Sequence, residues 1–168
     1  MQTKFSTQRL LLNLIVEDDH DFIFSLVNSK GWLEFIGDRN VHSKQDSIEY
    51  IGRIINTPDL FYWVVRLKDN NTPIGIISFL KRSYLEHFDI GFAFLPGFHG
   101  YGYAYEATEK VLSILSKKAE YTTILATTIP QNIYSIKLLN KLGFHFEKET
   151  EVLNKKLHVY TNSAINEN

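Results

Sequence analysis

The chain has 168 residues, of which 44% are hydrophobic and 22% charged, with a formal net charge of −1 and no cysteine. That length suits one domain with a real core and is short for two, and the composition argues against disordered and fibrous classes. Disulfides, thiolate metal ligands and a cysteine nucleophile are excluded, and a near-zero charge argues against a broad nucleic-acid surface. Residues Met1 to Asn13 lack a secretion-signal pattern, and no apolar run reaches the ~18 residues that span a bilayer. The expectation is a cytoplasmic chain with neither membrane nor nucleic acid as partner.

Along the chain, Arg9 to Val16 is an apolar run that reads as a first strand. Asp18 and Asp19 can cap a helix carrying Phe22, Ile23, Leu26 and Val27 on one face. Ser43-x-x-Asp46 resembles a capping box and opens a second helix, with Ile48, Ile51, Ile54 and Ile55 at helical spacing. Phe61–Leu67 and Ile74–Leu80 are rich in aromatic and β-branched residues, and the turn cluster 68–73 between them predicts a hairpin. Phe88–Leu95 is a further strand, stopped by Pro96-Gly97. A helix from about Gly102 buries Ala107, Val111, Leu112, Ile114 and Leu115. Tyr121–Ile129 reads as a Thr/Ile-rich strand. Asn132 opens another helix, with Ile136, Leu139 and Leu142 inward and Gly143 at its C-cap. One or two strands run from Phe144 to about Tyr160, and residues 161–168 form a polar tail expected to fray.

The most informative stretch is Pro96-Gly97-Phe98-His99-Gly100-Tyr101-Gly102-Tyr103-Ala104, between a strand and a helix. Glycines there let the backbone turn tightly and approach a ligand, and the helix start aims unpaired N–H groups at the loop, a natural seat for a pyrophosphate. It is neither a Walker A loop nor a dinucleotide fingerprint, because the glycines run Gly97-x-x-Gly100-x-Gly102 with no Gly-Lys-Ser/Thr. An ordinary strand-to-helix turn explains the loop alone equally well. The second stretch is Asn132-x-x-Ser135-x-x-Leu138-Leu139-Asn140-Lys141-Leu142-Gly143-Phe144. Its caps are a complete structural explanation, yet Asn132 and Ser135 also leave polar side chains beside a strand end, where an amide-containing ligand can bind.

Together, FDIGFAFLPGFHGYGYAYEA and NIYSIKLLNKLGF resemble the two signature motifs of the GNAT acetyltransferases, in the variant of the RimJ/RimL-type ribosomal-protein N-terminal acetyltransferases; Ser6-Thr7-Gln8-Arg9-Leu10-Leu11-Leu12 is similar to that branch's first strand. The resemblance covers Thr7 to about Phe146. It implies a single α/β (α+β) domain over 1–168, with its core at about 7–160. The implied sheet is mixed, mostly antiparallel, with six or seven strands, helices on both faces and two parallel strands splayed near Phe94. It implies acetyl-CoA as co-substrate and transfer to a primary amine; the six histidines form no metal-ligand pattern such as His-Glu-x-x-His, so no metal is expected. A protein or peptide N-terminus is the first reading; a polyamine, amino acid or aminoglycoside acceptor, or a catalytically weak acyl-CoA-binding module, stays open, as does monomer against homodimer.

The resemblance also assigns roles. The Phe94 amide faces the thioester oxygen, and Phe94 and Leu95 pair with pantetheine. The amides of His99, Gly100, Tyr101, Gly102, Tyr103 and Ala104 carry the pyrophosphate, Asn132 and Ser135 touch the pantetheine arm, and Ser135 or Tyr134 serves the departing thiolate. His99 and Tyr101 stand where the family has longer polar or basic residues, and Leu139 where many members have a thiolate-protonating Tyr. Asp89 is the first candidate for the base, since Asp89, Gly91 and Ala93 share a strand face and two of them are small; a merely ion-paired carboxylate is the alternative. Glu86 and His87 are reserves, Trp32 to Asp38 can line the acceptor pocket, and Arg39 and Arg82 can meet an acidic substrate group or simply be solvated.

Overall fold

The computed structural model describes residues 1–163. Its strands are β1 (Lys4–Ser6), β2 (Leu10–Leu14), β3 (Leu60–Leu67), β4 (Pro73–Lys81), β5 (Phe88–Phe94), β6 (Leu125–Thr128), β7 (His145–Val152) and β8 (Lys155–Thr161). They form one sheet in the order β1-β2-β3-β4-β5-β6-β8-β7. The helices are α1 (His20–Val27), α2 (Lys30–Phe35), α3 (Lys44–Asn56), α4 (Tyr103–Leu115) and α5 (Ile133–Lys141).

Both faces of the sheet are covered, which is why its central strands read as continuous apolar runs rather than alternating ones. In β3, Trp63 and Val65 join Phe79, Ile90, Val111, Leu115 and Leu139 on the α4/α5 side. Val64, next to them in sequence, joins Ile23, Trp32, Ile51 and Ile76 on the α1–α3 side. Ser43 caps α3 by accepting the Asp46 amide at 3.1 Å, but Asp46 reaches back to the His42 amide (2.9 Å), so the box closes one residue early. Asn132 caps α5 in the expected way, accepting from the Ser135 amide at 3.1 Å, and Gly143 ends it with φ of 86°.

Several expectations are corrected. The sheet has eight strands rather than six or seven: Lys4–Ser6 adds an edge, fastened by Phe5 against Trp63 (ring centroids 5.8 Å) and by the indole N–H of Trp63 on the Gln2 carbonyl. α2 is a short helix with no periodic signal of its own. Asp19 does not cap α1; it accepts the Val16 amide at 3.0 Å and pairs with Arg66, so a 3-10 turn over Glu17–Asp19 precedes the helix. β6 begins at Leu125 rather than Tyr121, because Tyr121 turns its ring edge-on to Phe79 and Phe88, at 5.0 and 5.2 Å. The first residues of the expected tail are not frayed: Thr161 is buried in β8, and Asn162 exchanges hydrogen bonds with the backbone of Ile124. Residues 164–168 of that tail lie outside the described residues.

Every neighbouring pair in the sheet is antiparallel except β5 and β6, which run parallel and pair only where Asp89 meets Leu125. Beyond that point β5 stays on β4 as far as Phe94 opposite Gly75, while β6 follows β8. The two parallel strands therefore separate, and a gap opens between their C-terminal ends.

Candidate functional site

The gap has two helix starts at its mouth, because β5 leads into α4 and β6 leads into α5. Gly100 (φ 84°) and Gly102 (φ 80°) are both left-handed, the region that glycine enters without a Cβ penalty. A side chain added at Gly100 would meet no atom within 4 Å, so the loop surface there is open. The first N–H bond into α4 runs from Glu106 to the Gly102 carbonyl. The amides of Tyr103, Ala104 and Tyr105 thus have no partner within the helix, and the positive end of its dipole faces the loop. This is an anion cradle made of backbone.

Arg9, at the start of the first predicted strand, belongs to this loop. Its Nε donates to Glu106 (2.7 Å), its Nη1 donates to the Tyr101 carbonyl (3.0 Å), and its guanidinium lies 4.5 Å from the Tyr103 ring centroid. Thr7 and the Arg9 amide also donate to Glu106. Burial works against the Glu106 charge, but the Thr7 and Arg9 hydrogen bonds outweigh it and hold its carboxyl below the ordinary value. The Arg9–Glu106 pair is neutral overall, but its guanidinium side lies next to the cradle, at Tyr101 and Tyr103, although neither position 99 nor 101 holds a lysine or arginine. Sequence reading missed this because Arg9 and Glu106 are 97 residues apart. His99 has a different duty from phosphate contact: its Nε2 donates to the Phe94 carbonyl at 2.9 Å and clasps the strand end to the loop.

At the other helix start, Ser135 is half-buried in the first turn of α5, and its amide is taken up by the Asn132 cap. Tyr134 is 82% exposed and Leu139 is buried in the α4/α5-side core.

Asp89 lies where β5 and β6 still touch, only 1% exposed. Its Oδ2 accepts from Arg82 Nε at 2.6 Å and its Oδ1 from the Thr127 hydroxyl of β6 at 3.2 Å. Burial pushes its carboxyl up, and the Arg82 guanidinium only partly offsets that. The carboxylate is therefore ion-paired, and it also reaches across to β6. Five residues of β5, about 16 Å at a strand rise of ~3.3 Å, separate it from Phe94, too far for direct contact with a group held there. Glu86 and His87 are exposed in the β4–β5 connection, whose backbone Lys81 ties down at the Leu85 and Glu86 carbonyls.

Around Asp89 the sheet assembles residues that the sequence did not group. Tyr62, Ser78 and Gly91 form one row across β3, β4 and β5. Ser78 leaves the row shallow, and a Cβ at Gly91 would come within 2.6 Å of Ser78 Oγ. Tyr50 of α3 lies beside Tyr62, and Arg39 and Arg82 are both within electrostatic reach of the Tyr62 phenol, which burial raises above its ordinary pKa. Tyr84 lies against Arg82 and Thr127, and burial raises its phenol too. The strand period could have flagged Tyr62, which shares a face with Leu60 and Val64; nothing local in the sequence links it to Arg39.

A family model described as "Acetyltransferase (GNAT) domain" matches residues 9–145. The chain is 27% identical over 143 residues to the "Uncharacterized N-acetyltransferase YnaD" of Bacillus subtilis (strain 168), covering 84% of this chain and 82% of that protein. Its fold is similar to that of the ribosomal-protein-S5-alanine acetyltransferase of Vibrio fischeri (TM-score 0.79, 20% identity, 99% and 98% of the two chains). It is likewise similar to RimL, a ribosomal L7/L12 alpha-N-protein acetyltransferase solved with coenzyme A (TM-score 0.79, 15% identity, 92% and 94% of the chains).

Proposed function

Since the chain belongs to the GNAT acetyltransferase family and is an acetyl-CoA-dependent acetyltransferase, we propose that, as one domain spanning the chain, it acetylates a primary amine, with a protein or peptide N-terminus as the favoured acceptor. The observation that carries this reading is the gap between β5 and β6, with a backbone anion cradle at its mouth. The RimJ/RimL-like neighbours support the N-terminal acceptor.

In this reading the pyrophosphate rests on the amides from Gly100 to Ala104, with the Arg9 guanidinium beside them; the expected His99 amide is instead taken by the Pro96 carbonyl at 3.3 Å. The pantetheine arm follows β5 past Leu95 and Phe94, between the strand ends and the Asn132–Ser135 turn. The Phe94 N–H donates to the thioester oxygen. The amine nitrogen attacks the carbonyl carbon, the oxyanion forms on that N–H, and the C–S bond then breaks. The thiolate leaves toward the start of α5, where the Ser135 hydroxyl donates a hydrogen bond to it, solvent water supplies the proton through that hydroxyl, and the helix dipole favours negative charge; Tyr134 is the other hydroxyl at that turn. The amine's proton passes to Asp89 through intervening hydroxyl groups, Thr127 and water, because the carboxylate lies too deep for direct contact. Arg82 holds Asp89 in place.

Thiol release from acetyl-CoA over a panel of peptides and small amines, with products identified by mass spectrometry, tests the reading. Acetyl-CoA binding with no acetylated product from any amine would refute it and favour an acyl-CoA-binding module.

A further inference from the structure

The α1–α3 side of the gap carries an unbalanced charge. The row Tyr62-Ser78-Gly91 is shallow at its β5 end and borders the strand separation. Tyr62, at the β3 end of that row, has the Tyr50 phenol beside it and the Arg39 and Arg82 guanidinium groups within electrostatic reach, and Arg82 lies 5.9 Å from the Tyr84 ring centroid. The carboxylate buried in this cluster is Asp89, already bonded by Arg82 and Thr127, while Asp38, next to Arg39 in the chain, turns its Oδ1 to the Asn40 amide at 2.7 Å. Arg82 has five N–H donors and uses one on Asp89. Arg39 sits 5.9 Å from the ring of the buried Trp32 and makes no ion pair among the described residues. Asp89 balances Arg82, which leaves the Arg39 guanidinium as the cation of the cluster with no ion-pair partner among the described residues.

A positive, phenol-lined face beside the acetyl-transfer point repels polycations and attracts anions. Phenol hydroxyls and guanidinium forks together suit a carboxylate, which takes several N–H and O–H donors at once. Resting on the acetyltransferase reading above, we propose that this face is an anion subsite of the acceptor site, and that the accepted amine carries a carboxylate held between Arg39 and Arg82. The row lies three residues of β5 before Phe94, about 10 Å at strand rise, and a long arginine side chain shortens that distance. The amine and the carboxylate therefore belong to one small molecule or to adjoining residues of one peptide. Spermidine-like and aminoglycoside acceptors are disfavoured.

The test pairs acidic acceptors with their neutral counterparts in the thiol-release assay: free glutamate against its diamide, and the amidated dipeptide Ala-Glu against Ala-Gln, with spermidine as the cationic control. The acidic member of at least one pair should show kcat/KM about tenfold or more above its partner, the scale of one hydrogen-bonded charge. The pair that discriminates tells whether the carboxylate comes from a free amino acid or a peptide side chain. Arg39→Gln, at an exposed position, should bring that ratio near one, and Arg39→Lys should keep most of it. Equal rates within both pairs, spermidine as the best acceptor, or an unchanged ratio in Arg39→Gln would overturn the subsite while leaving acetyl transfer standing. If no amine is acetylated, the acetyltransferase reading fails by itself. Calorimetric titration of glutamate and its diamide into the CoA-loaded protein then decides the subsite: tighter binding of the acid, lost in Arg39→Gln, upholds it, and equal affinities overturn it.

Discussion

On one flank of the gap, the open donors are backbone amides at the start of α4, those of Tyr103, Ala104 and Tyr105; on the other they are side chains from α3, β3, β6 and two connecting segments, carried by Tyr50, Tyr62, Thr127, Arg39 and Arg82. The first flank needs little from its side chains: His99 clasps the strand end, and Tyr101 contributes its carbonyl to Arg9. A backbone cradle tolerates sequence change as long as its left-handed glycines stay, so it can serve one cofactor across a divergent family. A side-chain cluster changes with each substitution, so acceptor choice can drift while the fold persists.

The contrast gives an order of expected effects. The largest belongs to the side-chain flank. Asp89→Asn keeps the shape and removes the basicity, so kcat should fall about 10²-fold or more, with KM for acetyl-CoA nearly unchanged. Its melting temperature should fall as well, because Arg82 loses its buried partner. Partial recovery of kcat at higher pH, where more free amine is present, separates proton transfer from misfolding. Near-normal turnover in a cooperatively folded variant would reduce Asp89 to an ion-pair anchor.

Next comes the backbone flank. Gly102→Val places a β-branched residue at φ of 80° and 3.6 Å from the Arg9 guanidinium. It should cost about 1–2 kcal/mol of stability and weaken acetyl-CoA binding about tenfold or more, the scale of losing hydrogen bonds to a charged group. Unchanged affinity by calorimetry would remove the loop from the site.

A smaller effect is expected of the charge that supports the loop. Arg9→Gln should raise KM for acetyl-CoA roughly fivefold, the scale of a partly exposed charge contact, and leave kcat in place. The pH dependence follows from Glu106, whose folded pKa is depressed. Its stabilisation is present above the unfolded value, near 4.5, and is lost as pH falls through the lower folded value. Glu106→Gln should flatten that acid limb of the melting curve; an identical limb would show that the Arg9–Glu106 contact does not support the loop. The smallest effect is His99→Ala, which removes one neutral hydrogen bond and should cost about 1 kcal/mol or less. A large loss of acetyl-CoA affinity there would mean that His99 also touches the cofactor.

Local chemistry in the sequence was enough to specify the helix start at Tyr103, the Asn132 cap, the Gly143 stop and the β3–β4 hairpin, because each depends on residues within a few positions of one another. The glycine loop and the resemblance it carries were legible for the same reason. The extra edge strand and the late start of β6 were not, because they follow from where Phe5 and Tyr121 find aromatic partners far away in the chain, and the six-residue α2 is too short to show a helical period. The Arg9–Glu106 brace and the cluster around Asp89 join residues tens of positions apart. Strand pairing alone brings Tyr62, Ser78 and Gly91 into one row, and only the tertiary fold gives Asp89 its ion pair and Arg39 its place beside Tyr62. Backbone geometry is encoded locally, whereas the charge balance of a pocket is set by whichever side chains the folded sheet and its covering helices bring together.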